Sequence, residues 1–209
     1  MKVSLLVRFG GFALFLGQFF LAIVDSAYYL TGRPAYPSPF IAWMSILGLI
    51  IRLFGFMAVF AILVQRGNIF GVLGFLLLVF GEFFSVSKMV MILGVAENVI
   101  TIEQLSQVTS YTVFLKYQPW FFIAGQLLFG LAIVQSKIDL NIPGMLIALL
   151  GAMVYLSNPM EFLRPLFPVI SLIAWGWLGW ELFTGNDRTH KEHVRASISD
   201  PSTPAMVNE

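Results

Sequence analysis

IFGVLGFLLLVFGEFFSVSKMVMILG, residues 69–94, decides the fold. Its centre, Phe75-Leu76-Leu77-Leu78-Val79-Phe80, is apolar at every position, so it cannot be a strand of a transmembrane barrel, which alternates polar and apolar side chains. The run exceeds the roughly 20 residues that cross a hydrocarbon core ~30 Å thick. In lipid an unpaired backbone group is costly, so such a run must be helical.

Working outward, Gln65-Arg66-Gly67-Asn68 reads as a tight turn, and a second long apolar run, Phe40–Val64, precedes it. Further runs fall at about Leu5–Val24, Trp120–Val134, Ile142–Leu156 and Leu166–Phe183, making six expected spans. The composition agrees: 58% of residues are apolar and 11% charged, against about half and about a quarter in soluble domains. Mean hydropathy is +0.86. The fold class expected is all-α, a polytopic transmembrane bundle. A transmembrane domain covers residues 1–184, and a polar tail at 185–209, with Pro201 and Pro204, reads as disordered.

The connections are also legible. Tyr28–Pro39 holds Pro34, Pro37 and Pro39 and reads as a loop. Val95–Pro119 is the longest expected connection, and within it Thr101-Ile102-Glu103-Gln104-Leu105 reads as a short capped helix at the interface. Lys2 and Arg8 before an apolar stretch resemble a signal peptide, but Asp25 disfavours cleavage after Ala27, and a retained first helix is expected.

Orientation follows from the cations. One side holds Lys2, Arg8, Arg66, Lys137, Arg188, Lys191 and Arg195, the other Arg33, Lys88, Lys116 and Arg164. The positive-inside bias puts both termini in the cytoplasm of a plasma membrane, read as prokaryotic. A shift of 70 residues aligns Gly55 with Gly125, Gly74 with Gly144 and Gly81 with Gly151. This reads as a parallel duplication of a helical hairpin, the second and third spans matching the fourth and fifth; chance in a Gly- and Leu-rich chain is the alternative.

Arg52 and Glu82 lie deep in the second and third spans, on either side of the turn, about 14 residues before it and 15 after. At ~1.5 Å per residue an antiparallel hairpin brings them to matched depth. A lone charge at mid-membrane costs on the order of 3 kcal/mol, and pairing relieves much of it. One reading is a polar site, with Ser45, Gln18 and Gln126 as lining, where Arg52 holds an anionic group and Glu82 positions it or carries a proton. The other is a structural ion pair fixing helix register.

Other signals are weaker. Glu161 and Arg164 are an outer-face candidate, more simply a solvated turn. Lys88, beside Ser85 and Ser87, reads as a lysine reaching for headgroups. Asn158-Pro159-Met160 resembles the aquaporin signature, but that family needs a second copy in a long loop where this chain has only Gln65–Asn68. His190 and His193 belong to the tail, so no metal site and no cofactor are expected. The glycines of the spans are expected to serve packing within the monomer. No cysteine is present, and the net charge of +1 argues against nucleic acid. P-loop, nucleophile-elbow and zincin motifs are missing.

Function is therefore expected to be non-catalytic: an accessory, partner-binding or lipid-binding membrane protein. The alternatives are a small transporter or channel using the Arg52–Glu82 pair, and a lipid-modifying enzyme for which Glu161, Ser157 and Asn158 are the best offer. Expected partners are the bilayer and a protein partner or a second copy of the chain.

Overall fold

The computed structural model describes residues 5–30, 38–136, 140–156 and 166–184. Seven helices account for nearly all of them: α1 (Leu5–Leu30), α2 (Pro39–Gln65), α3 (Ile69–Ala96), α4 (Ile102–Gln107), α5 (Thr109–Gln135), α6 (Asn141–Leu156) and α7 (Phe167–Thr184). No strand occurs among the described residues. The expected tail, the outer-face candidates Glu161 and Arg164, and the Asn158-Pro159 stretch lie outside them.

Local chemistry sets the helix ends. Pro39 occupies the first turn of α2, where no N–H is needed, and the Ser38 hydroxyl accepts from the Ile41 N–H. The α2–α3 turn closes on Gly67 at φ +66°, and the Asn68 side chain accepts from the Gly71 N–H at 3.1 Å. Thr101 and Gln104 form a capping box on α4. Leu105 is the residue that α4 buries.

Two expectations need correction. The first helix runs on to Leu30, not Val24. The connection expected over Val95–Pro119 is mostly helix, because α5 begins at Thr109 and passes through Pro119. Proline removes one N–H, which leaves the Leu115 carbonyl without its helical donor, and a helix supported by neighbours tolerates that.

Six helices form a closed ring in chain order. α1 packs on α2, α2 on α3, α3 on α5, α5 on α6, α6 on α7, and α7 returns to α1; α4 rests on α3 and α5. Close approaches at glycine fix the register. Gly10 meets Ala58 and Gly17 meets Arg52; Gly74 meets Phe129 and Gly125 meets Leu78; Gly130 meets Ala148 and Gly151 meets Ile123; Gly11 and Gly179 meet each other. These pairs make α1–α2, α3–α5, α5–α6 and α7–α1 antiparallel, and the tight turn makes α2–α3 so. The helices therefore alternate in direction around the ring. Packing within the monomer thus uses the glycines, as expected.

Five helices are long and apolar enough to cross a membrane: residues Leu5–Ala27 of α1, then α2, α3, α5 and α7. α6 is apolar but has only 16 residues. The outside of the ring is greasy, with Phe54, Met57, Phe80, Phe83, Leu131, Met145, Ile173 and Trp180 all exposed. Soluble monomers rarely present a continuous apolar surface of this kind, so the helices have the length, composition and surface of a membrane protein.

Candidate functional site

A plug and a polar layer divide the interior. Leu14, Phe56, Leu78, Phe129, Leu150 and Trp175, one from each ring helix, are fully buried or nearly so. Trp175 is the hub, with ring centroids 4.8 Å from Phe56 and 6.1 Å from Phe129. One turn along, toward the end where α4 lies, stand Gln18, Arg52, Glu82, Gln126 and Ser171. The helical spacing of i and i+4, or i+3 for Gln126 and Phe129, makes this so: each polar side chain stands above a plug residue of its own helix.

The polar layer is a connected chain. An Arg52 Nη2–H donates to Glu82 Oε1 in an ion pair. The other terminal nitrogen, Nη1, donates to Gln18 Oε1 at 2.9 Å, and Gln18 Nε2 donates to Ser171 Oγ at 2.9 Å. The guanidinium carbon lies 5.5 Å from the centre of the Phe56 ring, which the cation faces. Four helices, α3, α2, α1 and α7, are thus tied across the ring. Glu82 is 0% exposed, Gln18 1% and Arg52 8%.

The chain is incompletely satisfied. Among the described residues the buried side-chain atoms without a partner are Arg52 Nε, Glu82 Oε2, Gln126 Oε1 and Trp175 Nε1. All four belong to the polar layer or to the plug beneath it. Each such group costs about 1–3 kcal/mol. Unmet polar groups gathered within about one helical turn are an arrangement that stability alone does not favour.

Above this layer lies a cavity of about 380 Å³. All six ring helices line it. Arg52, Gln18, Gln126 and Ser171 form its floor, Leu21, Leu49, Phe122, Val154 and Phe167 its walls, and Asp25, Ser45, Lys88 and Gln118 its upper part. Glu82 does not line it and sits behind the guanidinium. Asp25 stands seven residues beyond Gln18 and Lys88 six beyond Glu82, so this second charged level is ~9–10 Å higher along the axis. Lys88 Nζ donates to Gln118 Oε1 at 2.9 Å, Gln118 Nε2 donates to Ser85 Oγ at 2.6 Å, and Ser85 donates to the Gly81 carbonyl at 3.0 Å. Asp25 has no ion-pair partner within 4.0 Å among the described residues.

Each sequence candidate within the described residues reaches this region. Arg52, Glu82, Gln18 and Gln126 meet at the floor, and Ser45 lies higher on the wall, its hydroxyl donating to the Ile41 carbonyl at 3.0 Å. Lys88 is corrected: its ammonium turns inward to Gln118 instead of outward to headgroups. Asp25, Ser85, Gln118 and Ser171 were missed. The signal was present, because Gln18–Leu21–Asp25, Glu82–Ser85–Lys88 and Gln118–Phe122–Gln126 each follow a helical face. Gln118 was hidden by the treatment of Pro119 as a helix end.

Among the described residues no three of His, Cys, Asp and Glu converge to hold a metal. Compared with protein-family models, with curated proteins and with solved structures, the chain matches none. The site is read from its geometry.

Proposed function

We propose that the chain is a six-span integral membrane protein that binds a small polar solute in its central vestibule, as a small transporter does. One observation carries the reading: a cavity lined by all six ring helices, apolar on its walls and polar at its floor and upper part, ends on an under-satisfied ion-pair chain. A lipid-binding module would favour a cleft between two helices open to the bilayer, and an accessory subunit a filled interior. The plug below the floor closes the path toward the other end, as alternating access requires of one of its states.

Several finer points belong to the same reading. The short α6 counts as the sixth span because the ring closes only through it. Both termini face the cytoplasm of a prokaryotic plasma membrane, so the vestibule faces outward. The hairpin duplication has support at Gly55 and Gly125, which both face the preceding helix of the ring. Gly74 and Gly144 face opposite neighbours and speak against it. A second copy or another protein can dock on the apolar exterior, but the vestibule needs neither.

The test uses the natural absence of cysteine. Single substitutions Ser45→Cys and Leu49→Cys in the vestibule, with Leu47→Cys on the exposed apolar face as control, are made in oriented vesicles. A membrane-impermeant thiol reagent is expected to label the first two from one side and spare the third. Failure to label the vestibule positions from either side removes the solute reading.

A further inference from the structure

We propose that the vestibule solute is an oxyanion, a carboxylate or phosphate, that binds Arg52, and that Glu82 takes up one proton for each anion bound. The inference rests on the solute-binding reading above and names its ligand class and its coupling.

The argument starts from which face of the pair the cavity meets. Arg52 lines the cavity and Glu82 does not. A solute descending the vestibule therefore reaches the guanidinium first, with the carboxylate behind it. Arg52 Nε is buried without a partner, so the guanidinium is not saturated with acceptors where it stands. Guanidinium N–H groups match oxyanions in geometry and charge. Gln18, itself held by Ser171, fixes Nη1 and keeps the cation at the floor.

Charge then demands the proton. The resting pair is neutral, and adding a monoanion would leave two negative groups on one cation in a buried, low-dielectric layer. Like charges in one site raise the affinity of one of them for a proton. Glu82 is the group placed to accept it. The elements packed on α3 offer little competition: α2 brings Arg52; α5 brings Gln126 and Phe122 near this level, with Lys116 and Tyr117 far above; α4 brings only the exposed Glu103. Lys88, on α3 itself, stands two turns higher, and Asp25 is across the vestibule on α1. Glu82 Oε2 has no hydrogen-bond partner and is free to carry the hydrogen. Gln126 Oε1, an acceptor without a donor, lies on the neighbouring helix within about a turn of that level.

The balance is complete. The Arg52–Glu82 ion pair opens, an Arg52–oxyanion pair forms, and one proton from water passes to Glu82. The site gains one anion and one proton and its net charge is unchanged. No bond within the solute is made or broken.

Because a proton is taken up, affinity rises as pH falls, on the order of tenfold per pH unit while Glu82 of the unliganded protein stays ionised. The experiment is calorimetric titration of the detergent-purified full chain with acetate, benzoate and inorganic phosphate, the last at a pH low enough to keep it a monoanion, in two buffers of different ionisation heat at one pH. Their difference counts protons. One proton taken up per anion, with Glu82→Gln binding the same anion at a pH-independent affinity and no uptake, is the result expected. Binding without proton uptake in the unsubstituted protein overturns the coupling and leaves the solute site standing. No binding of any of these anions, although the vestibule cysteines label, overturns the ligand class alone. Displacement of the anions by a soluble short-chain phosphatidylglycerol assigns Arg52 to a lipid headgroup and overturns the free solute. The proton count needs no substitution, so a variant that fails to fold does not block the test.

Discussion

Replacing Glu82 by leucine leaves the Arg52 guanidinium buried at the foot of the vestibule with one hydrogen bond, to Gln18, and the face of Phe56. Removing one partner of a buried ion pair costs about 3–5 kcal/mol, chiefly because the remaining charge is uncompensated. Arg52→Met is the mirror case: it strands the Glu82 carboxylate and leaves Gln18 Oε1 without its donor, a similar loss. The combined Arg52→Met/Glu82→Leu replaces both charges with apolar groups of similar bulk and is expected within about 2 kcal/mol of the parent. Glu82→Gln keeps an acceptor for Nη2 and is expected to cost less than Glu82→Leu. The assay is reversible unfolding in mixed micelles, followed by the fluorescence of the five tryptophans, of which Trp175 lies in the plug beneath the pair. If the double variant loses as much as the two single losses added together, the charges do not act on one another and the account of the floor is wrong.

Five further outcomes follow from the packing and the helix caps. Gly130→Ala places a methyl 2.5 Å from the Ala148 backbone nitrogen and the Gly144 carbonyl oxygen, so α5 and α6 must part and the melting temperature should fall by an amount equivalent to about 1–3 kcal/mol; Gly94→Ala, 3.5 Å from the nearest Ile100 atom, should leave it unchanged or higher. Trp175→Phe removes an unpartnered indole N–H and keeps most of the plug, so it should cost well under the about 3–5 kcal/mol expected for Trp175→Ala in chemical denaturation. Arg66 donates to the Ser136 carbonyl at the C-terminus of α5, and Arg66→Ala should lower stability by about 0.3–1 kcal/mol, less in high salt. Thr101→Ala should loosen α4 by about 1 kcal/mol, read as faster amide exchange at Leu105. The backbone N–H of Glu103 and then the Thr101 hydroxyl hold the Glu103 carboxyl below its usual range; that support is present above the ordinary carboxylate range and is lost as pH falls through the lowered value, so exchange in α4 should quicken on acidification beyond the intrinsic trend.

Most of the helices were legible because a span must be apolar over a known length. The pairing of Arg52 with Glu82 was legible because one tight turn sets both depths. The floor's other half was not, since Ser171 lies on a helix whose place beside α1 is fixed only when the ring closes. The connection expected up to Pro119 is helix in the structure, because a proline ends only a helix that nothing supports. Here α3 lies along one side of α5 and α6 along the other, and the polar residues before the proline, Lys116 and Gln118, read as loop because their partners were out of view. Lys88 was misjudged for the same reason, since Gln118 is the group that draws it inward.

The closed ring also has a consequence for how the chain is made. Synthesis runs from the N-terminus, and every helix from α2 to α6 meets a ring neighbour already in place. Only α7 must also find a partner from the start of the chain, and the Gly11–Gly179 approach and the Gln18–Ser171 bond are its latch. Until that latch closes, the nascent protein is an open arc whose Gln18 carboxamide lacks the Ser171 hydroxyl. A ribosome stalled before Phe167, or a deletion of the last helix, therefore leaves the Gln18 carboxamide without Ser171 and the vestibule open on one side.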